Sequence, residues 1–282
     1  MTAMDRYVVA GNPVEHSQSP FIHTAFAQQT GQTMVYERVL WPIDGFERGV
    51  TELAASGAKG CNITVPFKFD AYRLARRLTP RASLAQAVNT LRFDTPDWLA
   101  DNTDGEGLVQ DLQRHAGVAL AGRRVLLIGA GGAAAGVLGP LLAQQPAELV
   151  VANRTLAAAV ALVRRHEGVA VGVALQARAL QDCGRGYDVV INASSSSLQG
   201  ASVPVSGVVL AAGALALDMM YGPRAQPFLS WVADHGAHGR DGLGMLVEQA
   251  AAAFELWRGV RPDTAPVLRA LRERLVAAGL GR

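Results

Sequence analysis

Residues 124 to 155 constrain this chain more than any other stretch. Arg124-Val125-Leu126-Leu127-Ile128 is a short apolar run ending on glycine, the pattern of a strand covered on both faces of a parallel sheet. Gly129-Ala130-Gly131-Gly132-Ala133 follows. Glycines there permit a tight turn and let the main chain approach a diphosphate, whose charge the amino end of the next helix stabilises. Ala133 to Leu142 has the spacing of that helix, with Gly136 and Gly139 weakening it unless they serve close packing on the sheet. Leu149-Val150-Val151-Ala152 is the next strand, and Asn153-Arg154-Thr155 closes it. In NAD-binding units an acid about 20 positions after the glycine loop bonds the ribose 2′-hydroxyl. No carboxylate stands here. Arg154 instead offers a planar fork of donors to a 2′-phosphate, and Asn153 and Thr155 add neutral hydrogen bonds. The unit therefore reads as a doubly wound α/β dinucleotide module that prefers NADP. Glycine runs also occur in plain tight turns, so the ordered set of elements carries the reading rather than the glycines alone.

A chain of 282 residues has room for two domains, and with 50% hydrophobic and 18% charged residues it can build their cores. Formal net charge is +2, and the basic residues cluster only as the pairs Arg76-Arg77, Arg123-Arg124 and Arg164-Arg165. A nucleic-acid surface needs a concentrated basic patch, so no such partner is expected. Cys61 and Cys183 lie far apart without metal-ligand spacing and read as free thiols in a reducing compartment. Met1 to Asp5 lack a basic start followed by an apolar core, and no run approaches the roughly 18 apolar residues of a membrane span. A cytoplasmic chain acting as monomer or homodimer on a small molecule is expected. The six histidines show no ligand spacing and read as surface or packing residues.

Arg6 to Ala10 reads as a first strand, and His16-Ser17-Gln18-Ser19-Pro20 leads into a helix that Gly31 ends. Pro20 suits the first turn and Ser19 the cap, which leaves Ser17 surplus. Two hydroxyls beside a helix amino end could equally hold a small carboxylate. Met34 to Val39 is a strand and Gly45 to Ala55 a helix. Gly60 to Val65 is a strand stopped by Pro66, with Asn62 and Thr64 on one face and Ile63 and Val65 on the other. Lys68 follows at its carboxyl end, either as a solvated lysine or in the crevice where α/β sheets collect ligands. Thr79-Pro80 is expected to end the next helix, and Ala87 to Leu91 to form a strand joined through a hairpin to Asp101-Asn102-Thr103-Asp104-Gly105. Asn89, Thr90, Asn102, Thr103 and Asp104 are dense for two short segments, though turn chemistry accounts for some of them. Gly105 to His115 reads as a helix.

Past Thr155 the alternation continues, with a helix to about His166, a weak strand at Val169 to Val173, and strong strands at Tyr187 to Asn192 and Ala214 to Met219. Their carboxyl ends, near Ser194 and Met219, are where a nicotinamide would lie. Ser195 to Ser197 read as a flexible loop. Asp241-Gly242-Leu243-Gly244 precedes a long helix whose Leu243, Leu246, Val247, Ala250, Phe254 and Trp257 form one stripe, with Gln249 off its centre. A last helix runs from about Asp263 to Ala278, and this pair is expected to return to the first domain. The domains are then 1–104 with 241–282, and 105–240.

Taken in order, these motifs resemble the shikimate dehydrogenase family along nearly the whole chain. The resemblance rests on Gly11-Asn12-Pro13 with His16 to Pro20, Asn62-Ile63-Thr64-Val65-Pro66-Phe67-Lys68, Ala87 to Thr90, Asp101 to Gly105, Gly129 to Ala133, Asn153-Arg154-Thr155, and Asp241 to Leu246 with Gln249. It implies that Lys68 and Asp104 are the catalytic pair. It also implies that Ser17, Ser19, Thr64, Asn89, Tyr221 and Gln249 join them around shikimate, the serines on its carboxylate. Gly129, Ala130, Gly131, Gly132, Ala133, Asn153, Arg154, Thr155, Ser194, Met219 and Gly242 would then contact NADP. Three positions depart from the family's usual pattern: Ala135 stands where an arginine is frequent, Leu156 to Ala159 supply no second basic residue, and Ser197 replaces a glycine. Arg154 is left to carry most of the phosphate recognition. The competing readings are an NAD-dependent quinate/shikimate dehydrogenase, against which Arg154 argues, and a non-catalytic dinucleotide sensor, which the presence of Lys68 and Asp104 opposes.

Overall fold

The computed structural model describes residues 4–194 and 205–280, so the expected loop at Ser195 to Ser197 lies outside the described residues. The chain divides into two compact units, Met1–Gly107 with Val247–Leu271, and Leu108–Leu246 with Arg272–Arg282. The crossings thus fall at 107/108 and 246/247, against 104/105 and 240/241 from sequence, and residues 272–282 group with the second unit. Among the described residues no helix is long and apolar enough to cross a membrane.

The first unit opens with β1 (Asp5–Gly11), α1 (Ser19–Thr30), β2 (Met34–Leu40), α2 (Phe46–Ala55), β3 (Gly60–Ile63) and α3 (Lys68–Leu74). It continues through β4 (Arg77–Leu78), α4 (Pro80–Ala85), β5 (Thr90–Arg92) and β6 (Leu99–Asp101). Its mixed sheet has the order β2-β1-β3-β5-β6-β4, parallel from β2 to β3 and antiparallel at β5. Tyr7, Val8, Val9 and Ala10 are all buried because the central strand is covered on both faces. One face packs Val8, Ala10, Ile63 and Phe67 against Val50 and Leu53 of α2. The other carries Tyr7, Val9, Val14 and Tyr36 with Trp257.

Several expected boundaries move, each for a local reason. Gln18, not Ser19, is the residue before α1, and no side chain caps that helix, so the serines are not used there as caps. Strand β3 ends at Ile63, and Val65 is exposed, so the alternation expected as far as Val65 stops early. Thr79-Pro80 starts a helix rather than ending one: Thr79 Oγ1 accepts from the Ala82 N–H, and Pro80 occupies the first turn, where a missing N–H costs nothing. The strand expected from Ala87 begins only at Thr90, since Val88 N–H donates to the carbonyl of Lys68, outside the ladder.

The second unit takes over along α5 (Asp104–Gln110), which runs into one π-helical turn, Asp111–His115. There follow β7 (Arg124–Ile128), α6 (Gly132–Leu142), β8 (Glu148–Asn153), α7 (Leu156–His166), β9 (Ala174–Ala179) and β10 (Tyr187–Asn192). Then come β11 (Leu210–Asp218), α8 (Gln226–Asp234) and β12 (His238–Arg240), after which α9 (Leu243–Arg258) passes into the first unit at Val247 and α10 (Thr264–Ala277) returns to the second at Arg272. The sheet order β12-β11-β10-β7-β8-β9 is parallel throughout, and the order reverses at β7, the doubly wound arrangement of dinucleotide-binding folds. Val125 to Ile128 are fully buried at its centre. The weak strand expected at Val169 to Val173 is instead a turn with exposed Val169 and Val171, and the edge strand β9 lies beyond it. Edge strands bury little, so β9 carries no apolar run for the sequence to display. Strands β4 and β12 escaped sequence reading because they have only two and three residues, and the nine-residue helix α8 was not read either.

Within the first unit, His23 is fully buried, with its ring stacked on Tyr36 at 4.2 Å. Burial pushes its pKa down to about 3 from an ordinary value near 6.5. The unfolded chain therefore takes up this proton first, and stability present above pH 6.5 is lost as pH falls towards 3, by at most about 1.4 kcal/mol per pH unit. Burial lowers the pKa of His166 as well, so the difference between wild type and variant isolates His23. His23→Phe is expected to fold at pH 7 and to show a shallower loss of urea midpoint between pH 6.5 and 4; equal slopes would overturn the assignment.

Candidate active site

In the first unit β3 delivers the chain through Thr64 to Phe67, which is fully buried and stacked on Phe46 at 5.4 Å. That anchor fixes the start of α3, whose first residue is Lys68. The Lys68 side chain is 15% exposed, and its Nζ donates to Asp104 Oδ2 at 2.5 Å. It is a paired and largely buried lysine, not a solvated one. Asp104 opens α5, where the positive end of the helix favours a carboxylate. Its N–H donates to Asn102 Oδ1 at 3.1 Å, while Asn102 Nδ2 donates to the carbonyl of Ala87 at 2.9 Å. Asp101 anchors the segment from the other side. Arg81 grips it with two guanidinium nitrogens at 2.7 and 2.6 Å and also reaches Glu106. Burial pushes the Asp101 pKa up, but Arg81 and Thr79 more than offset this, and the net shift is downward. Asp101 therefore serves the scaffold.

Asn89 is the centre of the polar cluster. Its Nδ2 donates to Asp104 Oδ1 at 2.8 Å and lies 2.9 Å from Thr103 Oγ1 and 3.3 Å from Gln249 Oε1. Its Oδ1 accepts from the Thr103 N–H at 2.9 Å and from Thr90 Oγ1 at 2.8 Å. Gln249 of α9, off the apolar stripe, is buried and directed into this group. The two serines sit together: Ser19 N–H donates to Ser17 Oγ at 3.3 Å, and the hydroxyls are 3.2 Å apart. The Arg38 guanidinium holds the Ser17 carbonyl with bonds of 2.9 and 2.5 Å. Thr64 lies against the end of β1, where a Cβ at Gly11 would come within 2.3 Å of its methyl group. Ser17, Ser19, Thr64, Lys68, Asn89, Asp104 and Gln249 thus all belong to the first unit. Tyr221 belongs to the second, just past β11. Sequence reasoning missed Arg38 and Tyr36, and placed Asn62 only by its strand face. Polar atoms at interior strand positions were the available signal for Tyr36 and Asn62, whereas Arg38 is exposed and offered none.

The second unit gathers its candidates at the carboxyl ends of β7, β8, β10 and β11. Gly129 has φ +112°, and a Cβ there would lie 2.9 Å from the Ala193 carbonyl oxygen. A Cβ on Gly131 would project into open space. Gly131 precedes α6, and no side chain caps that helix, whose first turn includes Gly132 and Ala133. An uncapped helix start with an open face suits a diphosphate. Ala130 lies within the same turn. At the end of β8, Asn153 Nδ2 donates to the Thr155 carbonyl at 3.0 Å. Arg154 is exposed beside it, with no hydrogen bond or ion pair among the described residues. Ser194 donates through both N–H and Oγ to Asn192 Oδ1, and Asn192 Nδ2 donates to Asp218 Oδ2 at 3.1 Å. A Cβ at Gly242 would lie 2.4 Å from the Met219 carbonyl oxygen, so these two candidates touch through main chain. The residues fit a dinucleotide carrying a 2′-phosphate. Among the described residues no group of His, Cys, Asp or Glu could hold a metal ion.

Comparison with known proteins agrees in extent and order. Residues 9–91 match the family model of the shikimate dehydrogenase substrate binding domain, 111–200 that of shikimate / quinate 5-dehydrogenase, and 242–272 that of the shikimate 5'-dehydrogenase C-terminal domain. The shikimate dehydrogenase (NADP(+)) of Methylibium petroleiphilum is 63% identical over 278 residues, covering 96% of this chain and 95% of its own. That of Acidovorax sp. (strain JS42) is 58% identical over 277 residues, covering 98% of each. Among solved structures, the Ael1 enzyme from Pseudomonas putida superposes with a TM-score of 0.85 at 44% identity, over 95% of this chain and 98% of its own. The Thermus thermophilus shikimate 5-dehydrogenase in complex with shikimate gives 0.84 at 29% identity, over 96% and 99%. The chain belongs to the shikimate dehydrogenase family.

Proposed function

We propose that this chain is an NADP-dependent shikimate dehydrogenase, interconverting 3-dehydroshikimate and shikimate in the cytoplasmic route to chorismate and the aromatic amino acids. The observation that carries the reading is the Lys68–Asp104 pair, with Asn89 bonded to the same carboxylate, in a chain 63% identical to a relative of that name. In this reading 1–104 with 241–282 supply the substrate site apart from Tyr221, and 105–240 supply the cofactor site apart from Gly242.

The substrate's chemistry gives each side chain a role. Reducing the ketone requires a hydride at carbon and a proton at oxygen, and bound NADPH supplies the hydride. Lys68 donates the proton and stabilises negative charge developing on the oxygen; in the oxidation direction it accepts the proton. Asp104 holds the ammonium in place with one oxygen. Asn89 and Gln249 offer amide groups to ring hydroxyls, so a substrate lacking one leaves a buried polar group unmatched. Ser17 and Ser19 hold the carboxylate, and Thr64 and Tyr221 complete the substrate set. For the cofactor, Gly129 to Ala133 with the start of α6 receive the diphosphate, and Asn153, Arg154 and Thr155 receive the 2′-phosphate. Ser194, Met219 and Gly242 are proposed to contact the nicotinamide half. The absence of a carboxylate at the end of β8 favours NADP over NAD, and the enzyme works as a monomer or homodimer.

The direct test is absorbance at the reduced-nicotinamide band with shikimate and either cofactor. Rapid reduction with NADP and slow reduction with NAD are expected; none with either ends the proposal. Lys68→Ala is expected to lower kcat by about 100-fold or more, the scale of a positioned acid–base group, while calorimetry still detects shikimate binding. Near-normal turnover refutes its role. Arg154→Ala is expected to raise KM for NADP roughly tenfold or more, as for a lost charge-assisted bond, with KM for NAD little changed. An equal loss with both cofactors would make Arg154 structural.

A further inference from the structure

A buried hydrogen-bond chain reaches the Lys68–Asp104 pair from β2, the edge strand of the first unit's sheet. Tyr36 of β2 donates its hydroxyl proton to Asn62 Oδ1 at 2.7 Å. Asn62 Nδ2 donates to the Asn89 carbonyl at 3.3 Å and to Thr90 Oγ1 at 3.0 Å. Thr90 Oγ1 donates to Asn89 Oδ1 at 2.8 Å, and Asn89 Nδ2 donates to Asp104 Oδ1. Asn62, Thr90 and Asn89 are all within 6% of fully buried, so water does not substitute for these bonds. The stack of His23 on the Tyr36 ring fixes where the chain begins.

The direction of the chain follows from groups that have only one role. A main-chain carbonyl only accepts, so Asn62 must turn its nitrogen to Asn89 and its oxygen to Tyr36. A main-chain N–H only donates, so Asn89 must turn its oxygen to Thr103 and its nitrogen to Asp104. Thr90 joins the two amide side chains, accepting from one and donating to the other. Every proton therefore points towards the carboxylate, and the last bond occupies Asp104 Oδ1 and leaves Oδ2 to Lys68.

We infer that Asn62, held by Tyr36 and acting through Thr90, is a positioning residue for the reaction: it locks the Asn89 carboxamide so that Asp104 presents Oδ2 to Lys68. The inference rests on the function proposed above. It makes a split prediction, because loosening Asn89 misaims the proton-transfer pair more than it weakens overall substrate binding. Thr90→Val is expected to lower kcat about tenfold, which corresponds to one hydrogen bond of about 1.4 kcal/mol. KM for shikimate, its calorimetric affinity without cofactor, and KM for NADP are expected to stay within about twofold. Thr90→Ser, which keeps the hydroxyl, is expected to restore kcat. Tyr36→Phe, which keeps the ring stack, is expected to lower kcat in the same direction and serves if Thr90→Val does not fold. A raised shikimate KM at unchanged kcat, or a Thr90→Ser variant no better than Thr90→Val, overturns the inference. A wild type inactive with shikimate defeats the proposed function instead. In that event the Asn89 side-chain amide signals in nitrogen-15 NMR still decide the inference, which requires them to shift in Thr90→Val and return in Thr90→Ser.

Discussion

The Asn89 carboxamide sits where the turn before β5, the Thr103-Asp104 segment and α9 meet, and each of its atoms is bonded to one of them. A buried amide left without partners costs more than its hydrogen bonds gain, so the surrounding segments are committed to matching it. Asp104 gains its orientation from that demand, and Lys68 gains its partner from Asp104. The same demand explains why Thr103, which makes no charge of its own, is fully buried beside them. A cluster of this kind is rigid because every member has a fixed donor or acceptor role.

Close main-chain approach is the second constraint. A Cβ at Gly11 would strike Thr64, one at Gly60 would lie 2.5 Å from the Trp257 ring nitrogen, and one at Gly242 would strike Met219. Each glycine marks a place where one element carrying a candidate residue lies on another without a side chain between them. In the second unit the positive φ of Gly129 does more, since it turns the chain out of β7 beside Ala193. These contacts bring Met219 to Gly242 and Ser194 to Gly129, residues that are far apart in sequence.

The long apolar or strictly periodic elements were legible in the sequence. Strand β7 (124–128), strand β10 (187–192) and helix α7 (156–166) stand where the pattern put them. Buried parallel strands are apolar along most of their length, and the glycines that bound these two short runs separate them from helix segments of the same composition. The failures were short or edge elements. Thr79-Pro80 has the same composition whether it stops one helix or starts the next, and only the Ala82 N–H bonded to Thr79 separates the cases. Ser19 looked like a cap, yet α1 begins one residue earlier without one.

The sequence by itself determined the alternation of strands and helices, the glycine turn before α6, and the absence of an acid at the end of β8, because these are local patterns with local causes. Motif order also named the polar residues of the site. Only the tertiary structure decided which of those residues touch. Lys68 and Asp104 are separated by 36 positions, and Asn89 and Gln249 by 160. No local propensity reports such a meeting; it exists because the buried amides and carboxylate satisfy one another only in this packing.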